Sequence, residues 1–154
     1  IKPEDNAGSI HDTLSEVGAE IVLHTVRLIE QGKATPLKQD DTLASPAPKI
    51  FKEDCRIDWK QPAEKIHNRI RGLSPYPTAF TTHKGKMIKL FRSHVVEDVA
   101  QGEAGTIAVR GSGFEVCTAD KMLAIDELQL EGRKRMGVEE FLRGYKLSSD
   151  EKFG

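Results

Sequence analysis

The side chains best suited to binding a ligand are basic, and they are concentrated in one part of the sequence. The window from Lys49 to Arg92 contains eleven Lys and Arg residues but only four Asp and Glu, which is a formal charge of +7. The remaining residues carry −8, so the net charge of −1 conceals a strongly polarised molecule. Clustered positive charge of this size is typical of a surface that binds a polyanion, and nucleic acid is the first candidate.

The same charges have a second interpretation, because solvated lysines on exposed strands also protect sheet edges from aggregation. The charge pattern alone does not decide between the two. If a nucleic acid binds, basic residues in turns contact phosphates, which strengthens binding without reading bases. Lys89 and Arg92 are three apart on one predicted strand, so regular alternation sends them to opposite faces unless a bulge intervenes.

No recognisable metal or nucleophile motif accompanies the basic window. The five histidines form no HxH or HExxH pattern, and Cys55 and Cys117 lack metal-ligand spacing. Residues 111–113 (Gly-Ser-Gly) predict a hairpin turn, since no helix and no Lys-Ser or Lys-Thr pair follows them. A Ser–His–Asp triad stays open, because its members need not be close in sequence, although no nucleophile elbow is present.

Two aromatic residues and one acid within the window are further candidates. Trp59 and Tyr76 could stack on bases. Packing is favoured for both: Trp59 continues an alternation that predicts a core or interdomain anchor, and Tyr76 lies between two prolines, where local packing is expected. Asp58 could act as an acid, but capping the helix that starts near Pro62, or pairing with a neighbouring Arg, is favoured.

An amphipathic helix precedes the basic window. Residues 9–32 predict it, with the helix at about 10–31, because apolar side chains recur at three- and four-residue steps: Ile10, Leu14, Val17, Ile21 and Leu28. Ser9 with Asp12 resembles a capping box, and Gly32 is a C-terminal stop signal. A helix of this kind needs a surface to pack against, so we expect dimerisation through it or disorder of the segment.

The rest of the chain predicts a linker and a β domain. Residues 33–60 predict the linker, because they contain three prolines and little periodicity. Within residues 61–154, a short helix runs from Pro62 to Gly72, and a terminal helix covers 138–145. Five strands joined by tight turns predict a small antiparallel barrel or sandwich, at 78–83, 87–96, 105–110, 114–118 and 122–130.

Bulk composition is that of a folded, soluble domain. Hydrophobic residues make up 38% of the chain and charged residues 31%. No run approaches the roughly 20 apolar residues that span a bilayer. The chain has no signal-peptide pattern and does not begin with Met, which predicts a fragment or a trimmed chain. Cys55 and Cys117 are expected to be reduced thiols in the cytosol, with a disulfide between them less favoured.

Several short motifs together resemble one family. Residues 56–59 (RIDW), followed by residues 70–77 (IRGLSPYP), resemble the linker and the start of the C-terminal domain of methionyl-tRNA formyltransferases. Residues 105–107 (GTI), 132–136 (GRKRM) and 140–144 (EFLRG) extend the resemblance downstream. Residues 1–32 resemble the end of the family's catalytic domain, including its last helix. The motifs are specific as a set.

The resemblance implies a fold that is mainly β: a small antiparallel OB-like Greek-key barrel. A linker and a helix left from an α/β, Rossmann-like catalytic domain precede this barrel. The implied parent enzyme works in the cytoplasm in translation initiation, and it transfers formyl from 10-formyltetrahydrofolate to the amino group of methionyl initiator tRNA. The family's catalytic Asn, His and Asp lie before the region matched here. This chain alone is therefore expected to be inactive, with no catalytic residue, no cofactor and no metal site.

The implied role of this portion is to bind and position the tRNA. Charge and resemblance together predict ten RNA-binding residues: Lys49, Lys52, Arg56, Lys84, Lys86, Lys89, Arg92, Arg133, Lys134 and Arg135. RNA helices are recognised largely by shape, which suits a basic surface without a base-reading motif. The expected partners are initiator methionyl-tRNA and the missing N-terminal catalytic domain, with a dimer through the exposed helix as a further option and no membrane.

Two alternative functions stay open. The domain could be a structural or oligomerising module of another formyltransferase, one that acts on a sugar nucleotide or hydrolyses a folate. It could also be a stand-alone barrel that binds single-stranded nucleic acid. The scarcity of aromatic residues, nine in total, weighs against the single-strand reading.

Overall fold

Strands form most of the ordered structure between residues 79 and 137. The computed structural model describes residues 1–154 and contains three α-helices, two short 3-10 helices and six strands. The helices are α1 Ala7–Glu30, α2 Ala63–Leu73 and α3 Val138–Gly144. The strands are β1 Ala79–His83, β2 Lys86–Val99, β3 Ile107–Arg110, β4 Gly113–Cys117, β5 Lys121–Leu130 and β6 Met136–Gly137.

The strands form one antiparallel sheet, so the mainly β prediction is confirmed. Its order is β1-β2-β5-β4-β3, and β6 pairs with β5. The three hairpin-connected strands β3, β4 and β5 lie beside β2, which is the arrangement of a Greek key. β1 and β3 are the two edges and do not pair with each other, so the six strands alone do not close into a barrel.

The C-terminal tail, residues 146–154, contacts both edges of the sheet. Gly154 and Thr82 exchange two backbone hydrogen bonds of 3.1 Å at the β1 edge. At the β3 edge, the N–H of Ile107 donates to the carbonyl of Glu151 at 2.8 Å, and the N–H of Phe153 donates to the carbonyl of Gly105 at 3.0 Å. These bonds satisfy polar backbone groups that an open sheet edge would leave without partners. No pattern in the amino-acid sequence predicts this pairing.

One hydrophobic core joins the sheet, α2 and the residues just before α2. Cys55, Ile57 and Trp59 belong to it, so the last part of the predicted linker packs with the sheet. Trp59, which was predicted to be a core or interdomain anchor, is buried in this core. Its indole N–H donates to Thr81 Oγ1 at 3.1 Å, and its ring stacks on Phe153 with 5.8 Å between centroids. This packing fixes the backbone on either side of Trp59.

Turn chemistry accounts for the agreement between predicted and observed hairpins. Lys84 and Gly85 form the two-residue turn between β1 and β2, with φ of 50° and 77°. Two successive positive φ angles are typical of a type I′ turn, whose twist matches that of the strands it joins. The predicted strands lie within about three residues of the observed ones, and only the two-residue β6 was missed.

The predicted cap of α2 was wrong. The helix begins at Ala63, and Pro62 is its N-cap rather than its first residue. Pro62 has no side-chain acceptor, so Asp120 from the β4–β5 turn accepts the N–H of Ala63 at 2.8 Å. Asp58 instead stabilises its own turn, where it accepts the N–H of Lys60 at 3.0 Å. The acceptor thus comes from a residue that sequence proximity could not suggest.

Helix α1 is continuous, and none of its residues is buried. Its N-cap is Asn6, and Ser9 is the reciprocal partner in the capping box, so the predicted box of Ser9 with Asp12 was wrong. Gly32, at φ 66°, ends the helix as predicted, and its N–H donates to the carbonyl of Ile29. Dimerisation through α1 stays a prediction.

No helix of the protein has the length and apolar composition needed to cross a bilayer.

The packing of the tail against Gly105 predicts a specific sensitivity. A Cβ at Gly105 would lie 2.8 Å from the carbonyl oxygen of Phe153, and its φ of 88° is unfavourable for other residues. We expect Gly105→Ala to lower the free energy of unfolding in urea by about 1 kcal/mol more than Gly111→Ala. Gly111 is the matched control, because its φ is also positive, at 57°, but its Cβ would meet nothing. Equal losses in the two variants would contradict the contact.

The cap of α2 predicts a pH dependence. The N–H of Ala63 donates to Asp120 and holds the pKa of that carboxyl below its usual 3.8. A lowered folded-state pKa means that the carboxylate stabilises the fold above its unfolded-state pKa, and that this contribution disappears as pH falls through the folded-state pKa. Asp120→Ala should therefore lower the urea midpoint at pH 7.

That difference from wild type should begin to shrink as the pH falls below the usual pKa of 3.8, and it should disappear once the carboxylate of the folded wild type is protonated. Asp98→Ala is the control, because Asp98 is exposed and its side chain makes no hydrogen bond and no ion pair. A difference for Asp120→Ala that persists unchanged through an acid titration of the folded protein would rule out a charged cap.

Candidate nucleic-acid interface

The ten predicted RNA-binding residues are all exposed, and they lie in three places. Lys49, Lys52 and Arg56 precede α2. Lys84, Lys86, Arg133 and Lys134 lie in or beside the β1–β2 and β5–β6 turns. Lys89, Arg92 and Arg135 lie over the outer face of the sheet. Their role in RNA binding stays a prediction, but their surroundings separate them into different groups.

Strand register aligns two of these cations with an aromatic ring. The chain at Arg56 bridges to Phe80 of β1, Phe80 pairs with Lys89 of β2, and Lys89 pairs with Gln129 of β5. Directly paired residues project from the same face of a sheet. Arg56, Phe80, Lys89 and Gln129 therefore form one row across the outer face, which we call the cross-strand row. Neighbouring members are about 5 Å apart, the spacing of paired strands.

A β-bulge brings Arg92 to the same face as Lys89. Leu90 pairs with Leu128 and Arg92 pairs with Glu127, so Phe91 is an extra residue in β2. The bulge shifts the alternation by one position, and Lys89 and Arg92 are both exposed while Leu90 and Ser93 are buried. From the sequence, Lys89 and Arg92 could share a face only if a bulge lay between them, and the structure contains that bulge. The side chain of Arg92 is 70% exposed, and its Nε is 4.0 Å from Asp126 Oδ2.

Three of the predicted cations are already paired with carboxylates of the chain. Arg135 donates two hydrogen bonds to Glu127, at 2.7 and 2.6 Å, and these hold the pKa of Glu127 below its usual value. The guanidinium carbon of Arg135 also lies 4.3 Å from the centroid of the Phe91 ring. Lys84 pairs with Glu151 at 2.6 Å, and Lys134 pairs with Glu140 at 3.2 Å. An incoming phosphate would have to replace these partners.

Six of the predicted RNA-binding residues have no carboxylate within ion-pair distance. They are Lys49, Lys52, Arg56, Lys86, Lys89 and Arg133. The remaining residue, Arg92, is the one near Asp126. Lys49 lies over the ring of Phe51, with its Nζ 5.3 Å from the centroid. Of this group, only Arg56 and Lys89 belong to the cross-strand row. These two are consequently the most available cations on the outer face.

Two cations that the sequence had not singled out lie next to Arg56. Lys65 and Arg69 are one turn apart on α2, and together with Arg56 they line a groove of about 280 Å³ between residues 56–58 and the helix. We call it the α2 groove. The i, i+4 spacing of Lys65 and Arg69 was the available signal, but the position of Arg56 opposite them depends on its bridge to β1.

Tyr76 departs from its prediction. Its side chain is 84% exposed, whereas local packing had been expected. The neighbouring residues Ser74 and Thr78 are buried, so the loop between them is fixed at its ends and turns Tyr76 outward. The peptide bonds Ser74–Pro75 and Tyr76–Pro77 are both cis. The ring of Tyr76 is therefore open to a partner.

His83 is buried, and its contacts are those of a residue that stabilises the fold. His83 Nδ1 is 2.9 Å from the hydroxyl of Tyr145, and its Nε2 is 3.1 Å from Glu151 but outside hydrogen-bond geometry. Burial lowers the pKa of His83, and the charge of Glu151 opposes that shift. The imidazole is packed against Tyr145 and Phe153. It therefore joins β1 to the C-terminal tail.

No Ser–His–Asp triad is assembled. His67 Nδ1 lies 3.2 Å from Ser93 Oγ, but the nearby Asp126 is 3.0 Å from the Nδ1 of a different histidine, His94. Ser93 is also buried, which closes its hydroxyl to a substrate. No three His, Cys, Asp or Glu side chains come together in a group that could hold a metal ion.

Sequence comparison confirms the family resemblance. The family model described as formyl transferase, C-terminal domain, matches residues 49–146. Methionyl-tRNA formyltransferase of Geobacter metallireducens is 43% identical over 155 residues, covering 100% of this chain and 49% of that protein. Methionyl-tRNA formyltransferase of Syntrophus aciditrophicus is 42% identical over 150 residues, covering 97% of this chain and 48% of that protein. The chain spans about half the length of the curated relatives it matches.

Solved structures of HypX from Aquifex aeolicus have a similar fold. A double variant of HypX has a TM-score of 0.64 and 25% identity, covering 94% of this chain and 27% of that one. HypX in complex with tetrahydrofolic acid has a TM-score of 0.59 and 24% identity, covering 84% of this chain and 24% of that one. At this level of identity the likeness shows the fold alone.

The ion pair of Arg135 predicts a loss of stability. We expect Arg135→Gln to lower the free energy of unfolding by about 1 kcal/mol, because the variant loses the two hydrogen bonds to Glu127 and the contact with Phe91. Lys89→Gln is the matched control and should change it by less than about 0.5 kcal/mol, since Lys89 has no partner. Urea denaturation measures both. Similar losses of unfolding free energy in the two variants would mean that the contacts of Arg135 with Glu127 and Phe91 do not stabilise the fold.

Proposed function

Because the chain belongs to the formyl transferase C-terminal domain family, we propose that it is the C-terminal half of a methionyl-tRNA formyltransferase and that it holds the tRNA. The identity of more than 40% with two methionyl-tRNA formyltransferases over nearly the whole chain supports the parent activity. That activity transfers formyl from 10-formyltetrahydrofolate to the amino group of methionyl initiator tRNA, in the cytoplasm, at translation initiation. The catalytic Asn, His and Asp belong to the other half of the enzyme.

The observation that carries the tRNA-holding role is the arrangement of cations with few carboxylate partners across the outer face of the sheet and along the adjoining α2 groove. Arg56 and Lys89 are two strands apart in the cross-strand row, Arg92 adjoins them through the bulge, and Lys65 and Arg69 adjoin Arg56 in the α2 groove. A phosphate backbone is a line of evenly spaced negative charges, and neutralising them releases counterions. An extended set of cations therefore fits a nucleic acid better than it fits a small anion.

The chemical contribution of this portion is positional. Holding the tRNA by its phosphates fixes the acceptor end relative to a distant active site, and correct placement of two reactants lowers the barrier without local chemistry. A folate donor agrees with the structure of HypX from Aquifex aeolicus in complex with tetrahydrofolic acid. The donor would bind to the other half of the enzyme, where the resemblance places the catalytic Asn, His and Asp.

The fold proposed for this portion is the OB-like barrel. The Greek-key order of β2, β5, β4 and β3 supports it, and so do the hydrogen bonds of the C-terminal tail to both sheet edges. The exposed apolar side chains of α1, which include Leu14, Ile21 and Val22, would pack on the catalytic half. A dimer through the same side chains is the alternative use of this helix.

A second candidate is a structural module in another formyltransferase. The internal pairing of Lys84, Lys134 and Arg135 favours it, because these three cations contribute to the fold and are not free for a ligand. The two candidates differ in one property that is simple to measure. A tRNA-holding domain binds folded tRNA with a strong salt dependence, and a structural module does not.

We expect the chain to bind initiator tRNA with an affinity that falls steeply with salt. In a plot of the logarithm of the binding constant against the logarithm of the salt concentration, each neutralised phosphate should contribute about −0.9 to the slope. An elongator tRNA should bind comparably, because phosphate contacts carry no sequence information, and an unstructured oligonucleotide should bind more weakly. The double variant Lys89→Gln/Arg92→Gln should reduce the slope by about 2. Fluorescence anisotropy across a salt series measures these quantities.

The matched control is Arg110→Gln/Lys146→Gln, which removes the same charge from exposed residues near the β3 edge, away from β1 and β2. This variant should leave the slope unchanged. The absence of binding by the wild-type chain at low salt would support the structural-module candidate. Equal slopes for the two double variants would show that binding does not use the outer face of β2.

A further inference from the structure

The α2 groove is a separate feature from the flat outer face of the sheet. Its walls are residues 56–58 on one side and α2 on the other, and three cations line it: Arg56, Lys65 and Arg69. We propose that the α2 groove is a discrete phosphate site that takes one phosphodiester group of an RNA backbone. This inference rests on the tRNA-holding function proposed above, and it assigns ligand-binding roles to Lys65 and Arg69.

The groove is held open by the hydrophobic core. Ile57 and Ile66 line it and are both buried, so each wall is anchored from beneath. The N–H of Ile57 donates to the carbonyl of Phe80 at 2.9 Å, which ties the first wall to β1. Lys65 and Arg69 stand one turn apart on a capped helix. Cations on such rigid supports lose little freedom on binding, which favours a specific site over a diffuse one.

The donors in the groove are mostly uncommitted. Arg56 and Arg69 make no side-chain hydrogen bond and no ion pair, and Lys65 Nζ donates only to Gln61 Oε1, at 2.9 Å. Asp58 is the one acidic residue that lines the groove, and its carboxylate already accepts hydrogen bonds from Gln61 and Lys60. Three cations and one carboxylate leave a net charge of +2, which attracts an anion.

The size and the donor types point to a phosphate group. A volume of about 280 Å³ has room for one phosphate group of a backbone that continues beyond the groove. A guanidinium matches a phosphate with two parallel hydrogen bonds, and two arginines line this space. An ammonium group beside them adds a point charge. This donor set is well matched to one phosphodiester.

The position of the groove selects RNA over free phosphate as the source. Arg56 belongs both to the groove and to the cross-strand row, so a backbone leaving the groove meets Lys89 two strands away. That separation is about 10 Å, since paired strands are about 5 Å apart. A chain of phosphates can use the groove and the row together. An isolated anion can use only the groove.

The test compares Arg69→Gln with Arg110→Gln in binding of initiator tRNA across a salt series. Arg69→Gln should weaken binding about tenfold at low salt and reduce the log–log slope by about 1. Arg110→Gln removes the same charge near the β3 edge and should change neither quantity. Arg69 and Arg110 are both exposed, and urea midpoints close to the wild-type value check that each variant is folded.

Coupling between the two arginines tests whether they share one phosphate. The double variant Arg56→Gln/Arg69→Gln should weaken binding by less than the product of the two single effects, because either substitution already disrupts the same contact. The paired variant Arg69→Gln/Arg92→Gln is the comparison. Its effects should multiply, since Arg92 lies on the sheet face and would contact another phosphate.

NMR of the arginine Nε–H groups separates the two sources of phosphate. Resonances of Arg56 and Arg69 should shift on addition of tRNA at micromolar concentration and respond to inorganic phosphate only at far higher concentration. If tRNA binds but Arg69→Gln matches Arg110→Gln, the inference is overturned and the tRNA-holding function stands. If inorganic phosphate binds as tightly as tRNA, the groove is a free-anion site and the RNA assignment is overturned. If the wild-type chain binds no tRNA, both proposals are overturned.

Discussion

The buried ring of Phe153 holds four segments of the chain together. The ring stacks on Trp59, with 5.8 Å between centroids, and meets Phe114 and His83 edge-on at 5.8 and 5.6 Å. It therefore connects the residues before α2, β1, β4 and the C-terminal tail. Aromatic pairs in such geometries add to the gain from burial alone. Because Trp59 lies three residues after Arg56, this packing also fixes the backbone that presents Arg56.

The candidate interface depends on irregularities in an otherwise regular sheet. Without the bulge at Phe91, Arg92 would point toward the core, and the outer face of β2 would lose one of its cations. Without the bridge between Arg56 and Phe80, the first wall of the α2 groove would have no fixed position. Rigid elements with local departures from regularity are a common way to aim side chains at a ligand.

Local patterns predicted the hairpins well, and long-range contacts explain what they missed. Alternating side chains and the Lys84–Gly85 turn signal located β1 and β2 because both signals are confined to a few residues. The cap of α2 comes from Asp120, 57 residues beyond Ala63. The tail carries no periodicity, because its strand-like pairing comes from the edges it meets and not from its own sequence.

The candidate site was predictable as a charged region but not as a set of free cations. Counting Lys and Arg could not show that Lys84 pairs with Glu151, which is 67 residues away in sequence. Nor could it show that Arg69 stands opposite Arg56, since that depends on how α2 packs beneath the sheet. Partner identity is a property of the three-dimensional structure, whereas total charge is a property of composition.

Helix α1 is attached to the sheet domain at one end only, so a small change in its angle moves its other end a long way. Only its first residues are tied to the sheet domain, through a hydrogen bond from the N–H of Gly8 to the carbonyl of Ser74 at 3.0 Å and one from Arg71 to the carbonyl of Asp5 at 3.1 Å. With 24 residues, the helix is about 36 Å long. A tilt of about 10° at the attached end therefore moves the far end by about 6 Å. The residues between Glu30 and Cys55, fully extended, reach about 80 Å, so the connection back to the sheet has slack enough to permit such a tilt.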